Sequence, residues 1–168
     1  MYCRTASLET PTVYECEGFR LPTHAEREYA TRAGTTTALY NGELTEYESD
    51  YYCGPDANLE QIAWYCYNAG KLGRVSSQPV AKLAPNGFGL YDMLGNISEF
   101  GHDYQSWSAP PAGVNPRGTM DATRDLRHLY SCNSSLYAYF CRAAENLAAG
   151  WNESGRGVGF RLVRTLFE

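Results

Sequence analysis

The sequence predicts a single loop-rich α+β domain with little regular secondary structure, and three observations carry that prediction. Gly 16 and Pro 8 together supply 24 of the 168 residues, a content that suits turns and loops rather than a helical bundle. One short amphipathic helix is signalled near the N-terminal end, complete with cap and stop. The chain closes on an alternating apolar pattern that reads as a strand. A chain of this length can bury roughly 68–70% of its unfolded surface, enough for one core, so residues 1–168 are read as one domain.

The helix comes first. Residues 18–34 read Gly-Phe-Arg-Leu-Pro-Thr-His-Ala-Glu-Arg-Glu-Tyr-Ala-Thr-Arg-Ala-Gly. Thr23 followed by Glu26 is a capping box, and Pro22 interrupts whatever precedes it. Ala25, Tyr29 and Ala33 recur on one stripe at helical spacing, with Glu26, Arg27 and Arg32 facing elsewhere. Gly34 is the expected left-handed stop. Residues 35–85 carry no long helical period. Within them Tyr51-Tyr52-Cys53-Gly54-Pro55-Asp56 reads as a turn, and Ile62-Ala63-Trp64-Tyr65-Cys66 as a short apolar stretch. In residues 85–100 glycines punctuate large apolar side chains, so the backbone is expected to turn sharply beside a core. Residues 106–118 hold Pro110, Pro111 and Pro116 and read as a surface loop. In residues 157–164 alternation predicts a terminal strand with Phe160 and Leu162 on one face.

Composition narrows the function classes. Lys and Arg total 14 against 19 Asp and Glu, a net charge of −5, whereas binding a polyanion needs a basic surface. Nucleic acid is therefore set aside as the main partner. No apolar run approaches the roughly 18 residues of a membrane span, and Met1 is not followed by a signal-peptide core, so the default expectation is a cytoplasmic protein. Tyr numbers 14, more than Phe 6 and Trp 3 together. That excess fits either a binding surface or buried rings with polar tips. The six cysteines, Cys3, Cys16, Cys53, Cys66, Cys132 and Cys141, include no C-x-x-C pair. The three histidines, His24, His102 and His128, show no ligand spacing, so a structural zinc site is not expected. An even cysteine count permits disulfides, but without a secretory signal free buried thiols are the expectation.

Three of these segments, in order, resemble the signatures of the sulfatase-modifying-factor family, whose founding activity is formylglycine generation. Residues 18–34 are similar to G-[YF]-R-L-P-T-E-A-E-W-E-Y-A-x-R-x-G, with His24 and Arg27 standing where Glu and Trp are usual. Residues 85–100 resemble P-N-x-[FW]-G-L-Y-D-M-x-G-N-V-W-E-W, with the end softened to Ile97-Ser98-Glu99-Phe100. Residues 159–164 match G-F-R-L-V-R. The resemblance implies a C-type-lectin-like α+β fold rich in loops, here N-terminally short, because the family's opening strand has no counterpart before Met1.

The resemblance also implies chemistry that this chain departs from. The family's oxidase uses two cysteines four residues apart, thiolates suited to Cu(I), to activate oxygen against a substrate cysteine. Here Cys132 and Cys141 are the only weak catalytic candidates, and they stand nine positions apart. If Cys141 takes the second place, the first falls on Leu136, which cannot bind metal, so copper and formylglycine chemistry are not expected. The family's R-V-x-R-G-G-S-W is replaced by Arg127-His128-Leu129-Tyr130-Ser131-Cys132-Asn133-Ser134. A metal expectation survives in Asn96, Ile97 and Glu99, which match positions that help form a calcium site from carbonyls and one carboxylate. The alternative is that Asn96 and Glu99 cap turns.

Residues 121–144 lack Lys, Gln, Glu, Met and Trp, while Tyr, Ser and Asn crowd together within them. That composition resembles a paratope, rigid aromatic anchors among adaptable hydrogen-bonding groups. Members of the family also serve as variable proteins of diversity-generating retroelements. The residue types at 130–140 are all reachable from randomised asparagine codons, whereas Glu145, Trp151 and Glu153 are not. The candidate ligand-binding residues are Tyr130, Asn133, Ser135, Tyr137, Tyr139, Phe140 and Trp151; an ordinary buried strand would also use Leu136, Tyr137 and Phe140. Three functions follow: an inactive module binding a protein or other ligand through this face, a copper- and oxygen-dependent sulfatase-modifying oxidase or related non-haem metal enzyme, and an assembly domain whose missing strand a partner chain supplies.

Overall fold

The computed structural model describes residues 12–45, 53–70, 76–104, 113–114, 116, 126–150 and 157–166. Trp151, Tyr51, Tyr52 and most of the proline-rich loop lie outside the described residues. The ordered elements are strand β1 (Phe19–Arg20), helix α1 (His24–Arg32), and strands β2 (Ser98–Tyr104), β3 (Leu126–Tyr130), β4 (Asn146–Gly150), β5 (Val158–Phe160) and β6 (Val163–Arg164). Short 3-10 turns at Val13–Glu15, Leu59–Gln61 and Ala138–Cys141 complete them. This is the loop-rich α+β architecture expected, with a single helix among the described residues.

The strands form a four-stranded sheet in the order β4-β3-β2-β5 and a two-stranded ribbon of β1 with β6. β2 pairs antiparallel with β3 and parallel with β5, so the end of the chain returns alongside its centre. The β2–β3 register shifts between Phe100 and Tyr104, around Gly101. A Cβ at Gly101 would collide with the Tyr130 ring, so only glycine lets that ring lie across the strand. The expected terminal strand is present but divided into β5 and β6, and its alternation persists through the break. Phe160, at the end of β5, and Leu162, between the two strands, are both exposed.

Helix α1 starts where expected and faces differently. The Thr23 hydroxyl accepts from the Glu26 N–H while the Glu26 carboxylate accepts from the Thr23 N–H, so both halves of the capping box are made. The left-handed stop falls one residue early, at Ala33 with φ 48°, and Gly34 follows at φ 95°. The apolar stripe expected to face the core does not: Tyr29 is 69% exposed, while Arg27 and Thr31 are buried. The reason is ionic, because Arg27 finds a buried carboxylate at Glu99 and the carbonyl of Met93.

The core lies largely between loops. Leu39, Tyr40, Leu59, Ile62, Ala63, Tyr65, Met93 and Leu94 pack with Cys132, Ala138 and Cys141. The Ile62–Cys66 apolar stretch thus supplies the centre of the domain. The Asp56 carboxylate accepts from the N–H groups of Thr45, Asn58 and Leu59, satisfying donors that irregular backbone would otherwise leave buried. The expectation of free thiols is overturned. Cys53 is bonded to Cys66 and Cys132 to Cys141, Cys16 is also disulfide-bonded, and no described cysteine is free. In a core split among long loops, covalent closure supplies constraint that regular secondary structure does not.

Candidate functional site

Two places carry the residues singled out above: the segment leading into β2, and the loop between β3 and β4.

Asn96 leads into β2 and adopts φ 66°. Its side-chain oxygen accepts from the Gln78 N–H at 2.8 Å and its amide donates to the Gln78 carbonyl at 3.0 Å. Its own N–H reaches the Trp64 carbonyl and its carbonyl accepts from Ser134. Preceding it, Gly95 at φ 77° has a hypothetical Cβ 2.5 Å from the Trp64 oxygen, so this joint needs glycine. Ile97 packs its Cδ1 against Gly159. Glu99, 5% exposed, lies between two guanidinium groups. Arg27 reaches Glu99 Oε2 at 3.1 Å, and Arg161 reaches Oε1 at 3.0 Å. Burial pushes the Arg27 pKa down despite the opposing pull of Glu99.

The donors expected to hold calcium are therefore committed elsewhere. The Asn96 carbonyl accepts from the Ser134 N–H, and the Glu99 carboxylate is shared by two cations. A carboxylate held between two guanidinium groups does not fit a calcium ion, which needs six to eight oxygens and tolerates no cation among them. Among the described residues no group of three His, Cys, Asp or Glu side chains is placed to hold a metal. The histidines do gather, His24 lying 5.1 Å from His128 and 5.5 Å from Tyr130 between ring centres, but they pack as rings rather than converge as ligands.

The loop after β3 begins and ends on the Cys132–Cys141 disulfide, with Cα atoms 4.7 Å apart. Both cysteines are fully buried in the core. The sulfurs are joined to each other and present no thiolate. Asn133 shapes the first turn: its oxygen accepts from the Ser135 N–H and hydroxyl, and its amide donates to Ser98. Leu136 packs against the core, and its carbonyl accepts from the Cys66 N–H. Ser135 is exposed, and Tyr137, Tyr139 and Phe140 are partly exposed. The Phe140 ring stands edge-on to Tyr139 at 5.4 Å and tilted to Tyr137 at 6.5 Å. Arg142 stacks on Tyr139 at 3.8 Å and pairs with Glu145. Burial opposes the Arg142 charge, but hydrogen bonding and attraction to Glu145 outweigh it and raise its pKa.

Five of the seven candidate binding residues, Asn133, Ser135, Tyr137, Tyr139 and Phe140, are thus brought together on one closed loop. Tyr130 is corrected out of the set. It is 3% exposed, its ring covers Gly101, and burial raises its phenol pKa far above the usual value. It ends β3 in a run of three buried residues, His128, Leu129 and Tyr130. Sequence reasoning missed Arg142, whose signal was its place two residues after the aromatic run, and it missed the partnership of Arg27 and Arg161 with Glu99. The Arg27 departure from the family signature was the clue to the latter.

Comparisons place this geometry among known proteins. The sulfatase-modifying factor enzyme 1-like domain matches residues 1–166. The formylglycine-generating enzyme of Thermomonospora curvata is 33% identical over 155 residues, covering 87% of this chain and 49% of that protein. Among solved structures, Treponema denticola variable protein 1 superposes with a TM-score of 0.64 at 29% identity, covering 87% of this chain and 47% of its own. PvdO from Pseudomonas aeruginosa superposes with a TM-score of 0.68 at 27% identity, covering 88% and 53%. The chain spans about half the length of these relatives. With its fold, its ordered signatures and a family match over nearly every residue, the chain belongs to the sulfatase-modifying factor enzyme 1-like family.

Proposed function

We propose that this chain is a binding module without formylglycine-generating activity, recognising a protein or other ligand through the loop closed by Cys132 and Cys141. One observation carries the reading: Cys132 and Cys141, the two candidate redox sulfurs, are bonded together inside the core, while between them Ser135 is exposed and Tyr137, Tyr139 and Phe140 are partly exposed. A covalently closed loop holds its rings at low entropic cost, and Tyr with Ser and Asn supplies both contact area and hydrogen bonds. The likeness to Treponema denticola variable protein 1 supports a diversified version of this role. The bonded cysteines fit an oxidising compartment, in place of the cytoplasm expected from the sequence. Among the described residues no helix is long and apolar enough to cross a membrane.

Two measurements test this. The purified chain, loaded with copper(I) and given oxygen and a cysteine-containing sulfatase peptide, is expected to form no aldehyde; formation of the aldehyde would overturn the reading. Sequencing the gene across related strains is expected to show variation at the codons for Tyr137, Tyr139 and Phe140, with those for Cys132 and Cys141 unchanged. Variation spread evenly along the gene removes the diversified version.

A specific observation also favours an assembly role. Phe160, Leu162 and Leu166 alternate outward at 66%, 50% and 83% exposure, beside Phe19 at 51%. Four large exposed apolar side chains in the segments that form or flank the β1–β6 ribbon suit a further strand or chain packed over them. Sedimentation of the wild type against Leu162→Asp tests it: self-association lost in the variant supports assembly, and a wild-type monomer that resists aggregation removes it.

A further inference from the structure

The Cys53–Cys66 and Cys132–Cys141 disulfides lie in unlike surroundings. Cys132 and Cys141 are 0% exposed, so no external thiolate reaches either sulfur while the chain is folded. Cys53 is exposed and Cys66 partly exposed, and their bond closes the segment that carries the Ile62–Tyr65 core stretch. That segment is also closed without sulfur. Tyr65, fully buried beside Cys66, accepts at its hydroxyl from the Asp56 N–H at 3.0 Å and donates to the Gly54 carbonyl at 2.9 Å. The backbone just after Cys53 is thereby fixed to the residue just before Cys66. On the other flank the Cys66 N–H donates to the Leu136 carbonyl at 3.1 Å, and the Asn68 side chain accepts from the Tyr65 N–H and donates to the Ala63 carbonyl. Both flanks of the exposed disulfide are therefore anchored by hydrogen bonds that do not depend on it. A covalent bond that duplicates such contacts can open and leave the fold standing.

We propose that Cys53 is a thiol-exchange site, where a small thiol attaches through a mixed disulfide while the domain stays folded. The incoming thiolate attacks the Cys53 sulfur and a new S–S bond forms. The Cys53–Cys66 bond breaks with its electron pair leaving on Cys66, which takes a proton from water. One S–S bond is exchanged for another, so the thiol is the only co-reactant. The modification is reversible by the same chemistry. Because Gly54, Asp56 and Cys66 are held in place, the Cys66 thiolate stays beside the mixed disulfide and expels the small thiol again.

Glutathione added to the purified chain in native buffer, followed by acid quenching, alkylation and peptide mass mapping, tests the proposal. The wild type is expected to carry glutathione on Cys53 with Cys66 alkylated, and to keep Cys132 bonded to Cys141 throughout. Two variants fix the direction of attack. Given oxidised glutathione, Cys66→Ser is expected to be modified at Cys53 roughly tenfold or more faster than Cys53→Ser is modified at Cys66. Thermal unfolding of the modified Cys66→Ser chain is expected to remain cooperative. Alkylation of Cys132 and Cys141 as early as Cys66 overturns the proposal, as does wild-type glutathione found on Cys66 or a modified chain that no longer unfolds cooperatively. A wild type in which the Cys53–Cys66 bond resists glutathione until the chain is denatured overturns it equally.

Discussion

The segment entering β2 and the loop leaving β3 are both irregular and both tightly held, but by opposite means. Residues 86–99 are fixed by polar groups turned inward. Asn86 donates to the carbonyls at the end of α1 and accepts from Phe88 and Leu90, Asn96 clasps Gln78, and Glu99 joins two arginines. Nearly every polar side chain there is committed to holding the backbone. Residues 132–141 are closed instead by one covalent bond in the core, with Ser135 exposed and Tyr137, Tyr139 and Phe140 partly exposed. Chemistry that holds a loop from inside uses up its side chains, whereas closure at the ends releases them.

That contrast can be broken in graded steps. The largest effect is expected at Glu99. Glu99→Gln leaves two guanidinium groups facing each other in the interior and should cost about 3–5 kcal/mol in urea unfolding. A loss below about 1 kcal/mol would mean that the cluster behaves as an exposed ion pair. Next comes the disulfide: replacing both Cys132 and Cys141 by Ser is expected to cost about 2–4 kcal/mol, and the wild type under reducing conditions, which also open Cys53–Cys66 and the Cys16 bond, should lose at least as much. If reduction leaves stability unchanged, the covalent half of the comparison fails.

Smaller effects sharpen it. Thr23→Ala removes one half of the capping box and should cost about 1 kcal/mol, read from the midpoint of denaturation at constant slope. Burial pushes the Glu26 carboxyl up, but its bonds to Arg20 and to the Thr23 N–H outweigh this and hold its pKa below the ordinary value. A carboxylate depressed in the folded state contributes stability above its unfolded pKa and loses it as pH falls through the folded one. Stability measured downward from pH 5 should therefore fall less steeply in Glu26→Gln than in the wild type. Smallest of all is Tyr139→Ala, within about 0.5 kcal/mol of wild type, because the ring is partly exposed and holds mainly Arg142. A large loss there would show that the loop's aromatic side chains are structural after all.

Local chemistry made part of the molecule legible in advance. The capping box at Thr23 and Glu26, the Ile62–Cys66 core stretch, the alternation around Phe160 and the aromatic run from Tyr137 depend on neighbours a few residues away, so pattern sufficed. The buried face of α1 was misread because hydrophobic spacing cannot reveal that Glu99, 72 residues later, will receive Arg27. Tyr130 was misplaced for a similar reason: composition marked its region as a surface, but the β2–β3 register turned it onto Gly101.

By itself the sequence determined the family, the loop-rich α+β class, the position of the helix and which segment carries adaptable aromatic side chains, because each is written in short-range order. Only the tertiary structure decided that Cys132 and Cys141 meet, that Glu99 is shared by Arg27 and Arg161, and that Phe160 and Leu162 are exposed. Pairings between distant residues depend on how the whole backbone closes upon itself, and no local pattern encodes that closure.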